Sequence, residues 1–257
     1  MSFISFAQNF EDVLLWRALK DVEQGCYVDV GAQHPRIDSV SQAFHDHGWR
    51  GIHVEPSPHY AEMLRDGRPG DIVLEAAVGS KRGKAVFHNI PDTGLSTFDT
   101  QAMEQALARG FMVEDISVDM ILLDDVFEGA EGIVHWLKID VEGYETQVIR
   151  GWTCVVRPWV LVIESTSPGQ QVETDRQWEA DVLAKGYRYV WFDGLNRFYV
   201  HEDHAELAER IAMPPNVFDE AALSGESTSN FAMLLRHRIE GLERELAARP
   251  SPGKSRA

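Results

Sequence analysis

Cysteine is nearly absent: only Cys26 and Cys154 occur among 257 residues. Two thiols cannot staple a small secreted scaffold, and Cys26 opens an apolar strand pattern. Both are therefore expected to be free and buried, in a reducing, cytoplasmic setting. Long apolar runs are missing as well. Nothing approaches the ~18 residues needed to cross a bilayer, and the N-terminus lacks a basic segment followed by an apolar stretch, so no signal peptide is expected. Positive charge is scarce: 24 Lys and Arg stand against 41 Asp and Glu, giving a net charge of −17. That balance repels the phosphate backbone of nucleic acid and argues against an anionic membrane surface. A neutral acceptor such as a saccharide meets no such objection. The length and the 44% hydrophobic content suit one α/β domain with appendages.

Glycine is missing where a dinucleotide site would need it. The stretch YVDVGAQHP at 27–35 reads as a strand running into Asp29 and Gly31, and GIHVEP at 51–56 as a second strand ending on Glu55. A dinucleotide fingerprint requires two further glycines after the first, and this chain has Gln33, His34 and Pro35 in that region. The pattern excludes a pyrophosphate cradle more firmly than it excludes a nucleoside. An acid on the first strand can hold an ammonium, and an acid closing the second can accept both hydroxyls of a ribose. S-adenosylmethionine carries both groups. The plainer alternative is a structural strand–turn–helix in which Asp29 caps the helix.

Further along, apolar spacing predicts a helix over 6–20, strands over 26–30, 51–55 and 72–78, and helices over 37–48 and 58–66. Residues 84–90 and 117–123 alternate as strands. WLKID (136–140) and VLVIES (160–165) are buried strands, each followed by a helix, at 144–152 and 177–186. Strands alternating with helices imply a mostly parallel, twisted sheet with right-handed crossovers. YRYVWFDGLNRFYV (187–200) reads as an antiparallel hairpin turning at Asp193-Gly194.

Taken together, FAQNFEDVLLWRAL (6–19), YVDVGAQHPRIDSVSQAFHDHGWRGIHVEPSP (27–58), LEAAVGS (74–80), WLKIDVEGYETQVIRGW (136–152) and WVLVIES (159–165) resemble the FkbM family of S-adenosylmethionine-dependent O-methyltransferases. The resemblance covers about residues 3–200, and K-I-D-V-E-G-Y-E is its most distinctive block. It implies a Rossmann-like methyltransferase fold and methylation of hydroxyls on sugars, glycans or glycosylated metabolites. Many relatives read D-V-G-A-N where this chain has Gln33 and His34, a departure that bears on local contacts and not on the fold. Residues 1–202 are accordingly expected to form the methyltransferase domain, 203–249 a helical extension, and 250–257 a disordered tail.

Ligands of open α/β sheets sit outside the carboxyl ends of the strands. That rule selects Asp29, Gly31 and Ala32, Glu55 and Pro56, Ala76 and Ala77, Asp140 and Glu142, and Glu164. Asp29 and Glu55 are expected to hold the cofactor's ammonium and ribose, with Ala76 and Ala77 beside the adenine. The resemblance adds Gln8 and Asn9 near the cofactor or acceptor, with helix capping an equal alternative for Asn9. Asp140 and Glu142 are the expected proton acceptors, Glu164 a further member, and His34 a weaker candidate for which a structural role competes. If a divalent ion such as Mg²⁺ takes part, Asp140 and Glu164 would hold it. Lys138 is expected to pair with a buried acid, and Glu145 to lie on the solvated face of its helix. Leu235, Ile239, Leu242 and Leu246 follow an a/d-like spacing. They fit packing onto the chain's own domain nearly as well as pairing between chains, and a homodimer contact is the expectation. The competing functions are an NAD-linked oxidoreductase and a catalytically silent methyltransferase-fold module in a glycan-assembly complex.

Overall fold

A computed structural model describes residues 3–91, 93–167 and 170–247; the tail expected at 250–257 lies outside them. The strands are β1 (Phe3–Ser5), β2 (Cys26–Val30), β3 (Arg50–Val54), β4 (Ile72–Leu74), β5 (Ala77–Val78) and β6 (Gly83–Asn89). They continue as β7 (Glu114–Ile121), β8 (Trp136–Ile139), β9 (Val160–Glu164), β10 (Tyr187–Phe192), β11 (Asn196–His201) and β12 (Ala221–Leu223). The helices are α1 (Glu11–Leu19), α2 (Gln42–Asp46), α3 (Pro58–Gly67), α4 (Thr100–Ala108) and α5 (Leu123–Glu128). The remainder are α6 (Glu145–Arg150), α7 (Glu179–Leu183), α8 (Ala208–Ile211) and α9 (Met233–Ala247).

Seven strands form the central sheet in the order β10-β11-β9-β8-β2-β3-β4. The pairs β9–β8, β8–β2, β2–β3 and β3–β4 are parallel, and β11 runs antiparallel to both its neighbours. A parallel sheet must be covered on both faces, so its strands are apolar throughout and their alternation sorts residues between two cores. Val28, Ile52, Leu137 and Leu161 face one cluster, with Trp152 and Trp178 behind them. Tyr27, Trp136, Val160 and Phe198 face the other, against Leu14, Leu15, Phe44 and Trp49. Tyr27 stacks on Trp136 with ring centroids 4.8 Å apart.

Three local expectations need correction. The strand over 72–78 divides in two, because the Leu74 carbonyl accepts from both Glu55 N and Ala76 N and the chain bends there into another sheet. That smaller sheet has the order β5-β7-β6 and contains the two alternating segments. The helix over 37–48 shrinks to α2. Asp38 is left-handed (φ 56°) and bridged to Ala7, and its carboxylate accepts from Ser227 Oγ, Thr228 N and Thr228 Oγ1 at 2.6–2.9 Å. Those bonds pull the first half of the segment out of helical geometry. Cys26 and Cys154 are free but half-buried.

Residues beyond 202 are tied to the sheet's flank. Leu207 and Ile211 belong to the second core, β12 pairs with β1, and Arg17 Nε meets Asp219 at 2.6 Å. On α9, Leu235 and Ile239 lean against Gly225, where an added Cβ would lie 2.6 Å from Ile239 Cδ1, yet Leu235, Leu242 and Leu246 are all exposed. No helix among the described residues is long and apolar enough to cross a membrane.

Candidate active site

The carboxyl ends of β2, β3 and β8 open onto a cavity of about 400 Å³, within the roughly 300–1,000 Å³ of small-molecule sites. Gln8, Asp29, Gly31, Ala32, His34, Glu55, Pro56, Ala76, Ala77, Asp140 and Glu142 all line it. Glu164 is not among its lining residues, yet its carboxylate lies beside those of Asp140 and Glu142, one oxygen of each within 4.8 Å of the others. Among the described lining residues Lys138 is the one lysine or arginine.

Gly31 is required by the fold itself. Its φ is +82°, and an added Cβ would stand 1.7 Å from the Asp140 carbonyl oxygen. The main chain at Gly31 is thus closely approached by the end of β8. With α2 delayed to Gln42, the loop after Gly31 is not a helix N-terminus. It is fastened by Glu55, 5% exposed, whose Oε2 accepts from Gln33 N and Oε1 from Ser57 N, each at 2.8 Å. Burial pushes the Glu55 carboxyl up to about 7, against those two amides and helped by Asp29. One lone pair on each oxygen is left for a ligand. Asp29 is 2% exposed, and its Oδ1 has no partner among the described residues. A buried acceptor of that kind is rare unless a ligand or water supplies the donor.

The turn after β8 gathers the remaining acids. Lys138 Nζ donates to Asp140 Oδ2 at 2.6 Å. Burial alone would lower the lysine's pKa, but Asp140 and Asp29 raise it, so the ammonium stays charged. Glu142 is left-handed (φ 51°) beside Gly143 (φ 96°), a sharp turn that places its carboxylate over Asp140. Burial first, then Asp140 and neighbouring glutamates, hold Glu142 and Glu164 well above the carboxylate range, and each has an unpartnered Oε2. Glu145 departs from its expected place. It is 3% exposed, and its Oε1 accepts from Val141 N and Gly143 N, closing the turn from within. His34 Nδ1 accepts from Arg36 N and Ile37 N at 3.0 and 2.9 Å; burial lowers its pKa. One ring nitrogen is thus committed to holding its loop.

Sequence reasoning missed Glu11. It is 2% exposed, lines the cavity, and accepts from Asn9 N and Asn196 Nδ2 at 2.8 Å each. Burial, then Asp193, raises it to about 8. It reads as an ordinary first-turn acid, so only the fold reveals its role. The aromatic wall of Phe87, Phe98 and Tyr144, with centroids 4.8 and 5.0 Å apart, was also missed, because its members come from β6, a loop and the edge of α6.

These acids have a measurable consequence. An acid with a raised native pKa keeps a proton that the unfolded chain has already released, so stability falls as pH rises towards the native value. Glu11 (about 8), Glu55 and Glu145 (about 7 each) put that loss between about pH 5 and 8. His34, His45, His135 and His204 are lowered by burial and act in the opposite sense, but mainly below pH 7. The unliganded protein should therefore melt about 3 °C or more lower at pH 8.5 than at pH 7, given ~1.4 kcal/mol per pKa unit. Glu11→Gln should flatten the slope. Scanning calorimetry showing a flat or rising Tm in the wild type would contradict the burial described.

The sequence profile of the Methyltransferase FkbM domain matches residues 29–189. No curated protein shows a significant match to the chain. The profile spans more than half of the 257 residues and takes in the strand ends bearing Asp29, Glu55, Asp140 and Glu164, and on that match the chain belongs to the FkbM methyltransferase family.

Proposed function

We propose that this methyltransferase uses S-adenosylmethionine to methylate a hydroxyl of a sugar, glycan or glycosylated metabolite. The observation that carries the reading is the buried, unpartnered Oδ1 of Asp29 in a cavity rich in carboxylates. Such a site asks for a ligand that donates hydrogen bonds and bears positive charge, as an ammonium and a sulfonium do. We read the order β4-β3-β2-β8-β9-β11-β10 as the Rossmann-like methyltransferase arrangement, with the β10–β11 hairpin closing its edge. The NAD-linked alternative places a doubly charged pyrophosphate against Asp29, Asp140 and Glu142, with no helix N-terminus after Gly31 to offset the repulsion. A silent module is disfavoured by the cost of keeping so many acids buried without use.

In this reading Glu55 accepts the ribose hydroxyls, Asp29 the ammonium, and Phe87, Phe98, Ala76 and Ala77 bound the adenine. Bound there, S-adenosylmethionine supplies a sulfonium methyl: the acceptor oxygen bonds to that carbon as the C–S bond breaks, the electron pair returns to sulfur, and the hydroxyl proton leaves. The proton passes to the carboxylate group of Asp140, Glu142 and Glu164. Asp140 is fixed by Lys138, and the raised pKa of Glu142 makes its ionised form a stronger base.

The same three carboxylates are a donor set of hard oxygens that fits Mg²⁺. Bound there, the ion would polarise the acceptor hydroxyl. Lys138 already neutralises Asp140, and we assign the proton to the carboxylates alone. Turnover of a saccharide panel, read as S-adenosylhomocysteine released, should survive excess chelator. Activity lost to chelator and restored by Mg²⁺ would transfer the role to the ion. No methylation of any saccharide, with transfer to another class of hydroxyl, would overturn the acceptor assignment.

A further inference from the structure

A second depression of about 440 Å³ adjoins the cofactor cavity and shares Gln8 and Thr228 with it. We infer that this shelf is the acceptor subsite and that it takes an uncharged saccharide, not a phosphorylated or nucleotide-linked one. This inference rests on the methyltransferase reading above.

The chemistry of the shelf is that of amides and hydroxyls. Asn9, Gln171, Thr228, Ser229 and Asn230 line it, and no lysine or arginine occurs among its described lining residues. Amides and hydroxyls both donate and accept, as a sugar hydroxyl does. Its one carboxylate, Asp193, is already engaged: Oδ1 accepts from Leu195 N and Asn196 N at 2.8 and 2.6 Å. A phosphate would thus meet no cation, an adjacent carboxylate, and the strongly acidic cavity next door. The Asn9 amide is held in place by donating to the Asp193 carbonyl at 3.1 Å, which orients its oxygen. Phe231 follows Asn230, is 66% exposed, and packs on Phe10 with centroids 5.2 Å apart. That leaves an apolar surface beside the shelf for the C–H face of a pyranose ring.

The shelf is also preorganised, by contacts between residues the family profile covers and a segment it does not reach. Ser227 and Thr228 are clamped to Asp38, and Arg36 Nη2 meets Glu226 at 2.6 Å. The segment beyond 202 is thereby fixed against the loop that follows Gly31. Asn9, Asp193 and Thr228–Asn230 all lie outside residues 29–189, whereas Asp29, Glu55 and Asp140 lie inside. Of the side chains named on the shelf, Gln171 alone comes from within the profile, so the acceptor side is drawn mostly from outside it.

The test uses the full-length protein loaded with S-adenosylhomocysteine and titrated calorimetrically with methyl glycosides, short neutral oligosaccharides and nucleotide sugars. Neutral saccharides should bind, and nucleotide sugars should bind more weakly or not at all. Asn230→Ala and Gln171→Ala should each weaken the neutral saccharide by about threefold to tenfold, one hydrogen bond's worth, while S-adenosylhomocysteine affinity and circular dichroism stay at the wild-type values. Tighter binding of nucleotide sugars, no binding of any neutral saccharide, or wild-type saccharide affinity in both variants would overturn the inference. Failure of the wild type to bind S-adenosylhomocysteine would instead overturn the cofactor reading, so the two failures are distinguishable.

Discussion

Glu55→Gln should weaken binding of S-adenosylhomocysteine at least tenfold. The ribose hydroxyls would donate to a buried carboxylate, and hydrogen bonds to a charged acceptor are worth about 1.5–3 kcal/mol each, against roughly 1 kcal/mol for a neutral one. Over two bonds that difference is about 1–4 kcal/mol, and its middle exceeds the ~1.4 kcal/mol that equals tenfold. Glutamine is the informative replacement because it removes the charge at constant size, and only one of the Gln33 and Ser57 amides loses its acceptor, since Nε2 cannot accept. Alanine is less useful: it would strand the amides of Gln33 and Ser57 that Glu55 now satisfies. The variant should melt only a few degrees below the wild type. Calorimetric affinity within threefold of the wild type would remove Glu55 from the ribose.

Asp140→Asn should reduce turnover at saturating cofactor by about 10²–10⁴-fold, the usual worth of a positioned proton acceptor. The substitution preserves shape but leaves the buried Lys138 ammonium without its charged partner, so some stability is lost too. Glu164→Gln separates the two effects, since it leaves the Lys138–Asp140 pair intact while changing the same carboxylate group. It should also slow turnover, with a Tm at or above that of the wild type, because a buried acid held above its normal range destabilises the ionised form. If Asp140→Asn folds, binds cofactor and turns over at the wild-type rate, the reaction centre lies elsewhere.

The sequence spoke most clearly where a strand end and its turn are consecutive in the chain. Asp29-Val30-Gly31 and Val54-Glu55-Pro56 announce both the strand and the acid that closes it, and Lys138 with Asp140 follows from strand alternation. Contacts made by distant segments were not legible. Glu145 looks solvent-facing on a helical wheel, but the left-handed turn at Glu142 and Gly143 folds it inward to cap Val141 and Gly143. The helix expected at 37–48 was shortened by Ser227 and Thr228, nearly 190 residues away, which no local propensity records. Glu11 is held in the site by Asn196 on β11, 185 residues away.

We hold that the acid-lined cavity at the ends of β2, β3 and β8 is built for S-adenosylmethionine. Isothermal titration of the wild-type protein with S-adenosylmethionine, and in parallel with NAD⁺, tests it most directly. One-site binding of S-adenosylmethionine per chain is expected, weakened at least tenfold by Glu55→Gln, with no detectable heat from NAD⁺. Saturable binding of NAD⁺ with none of S-adenosylmethionine would contradict it.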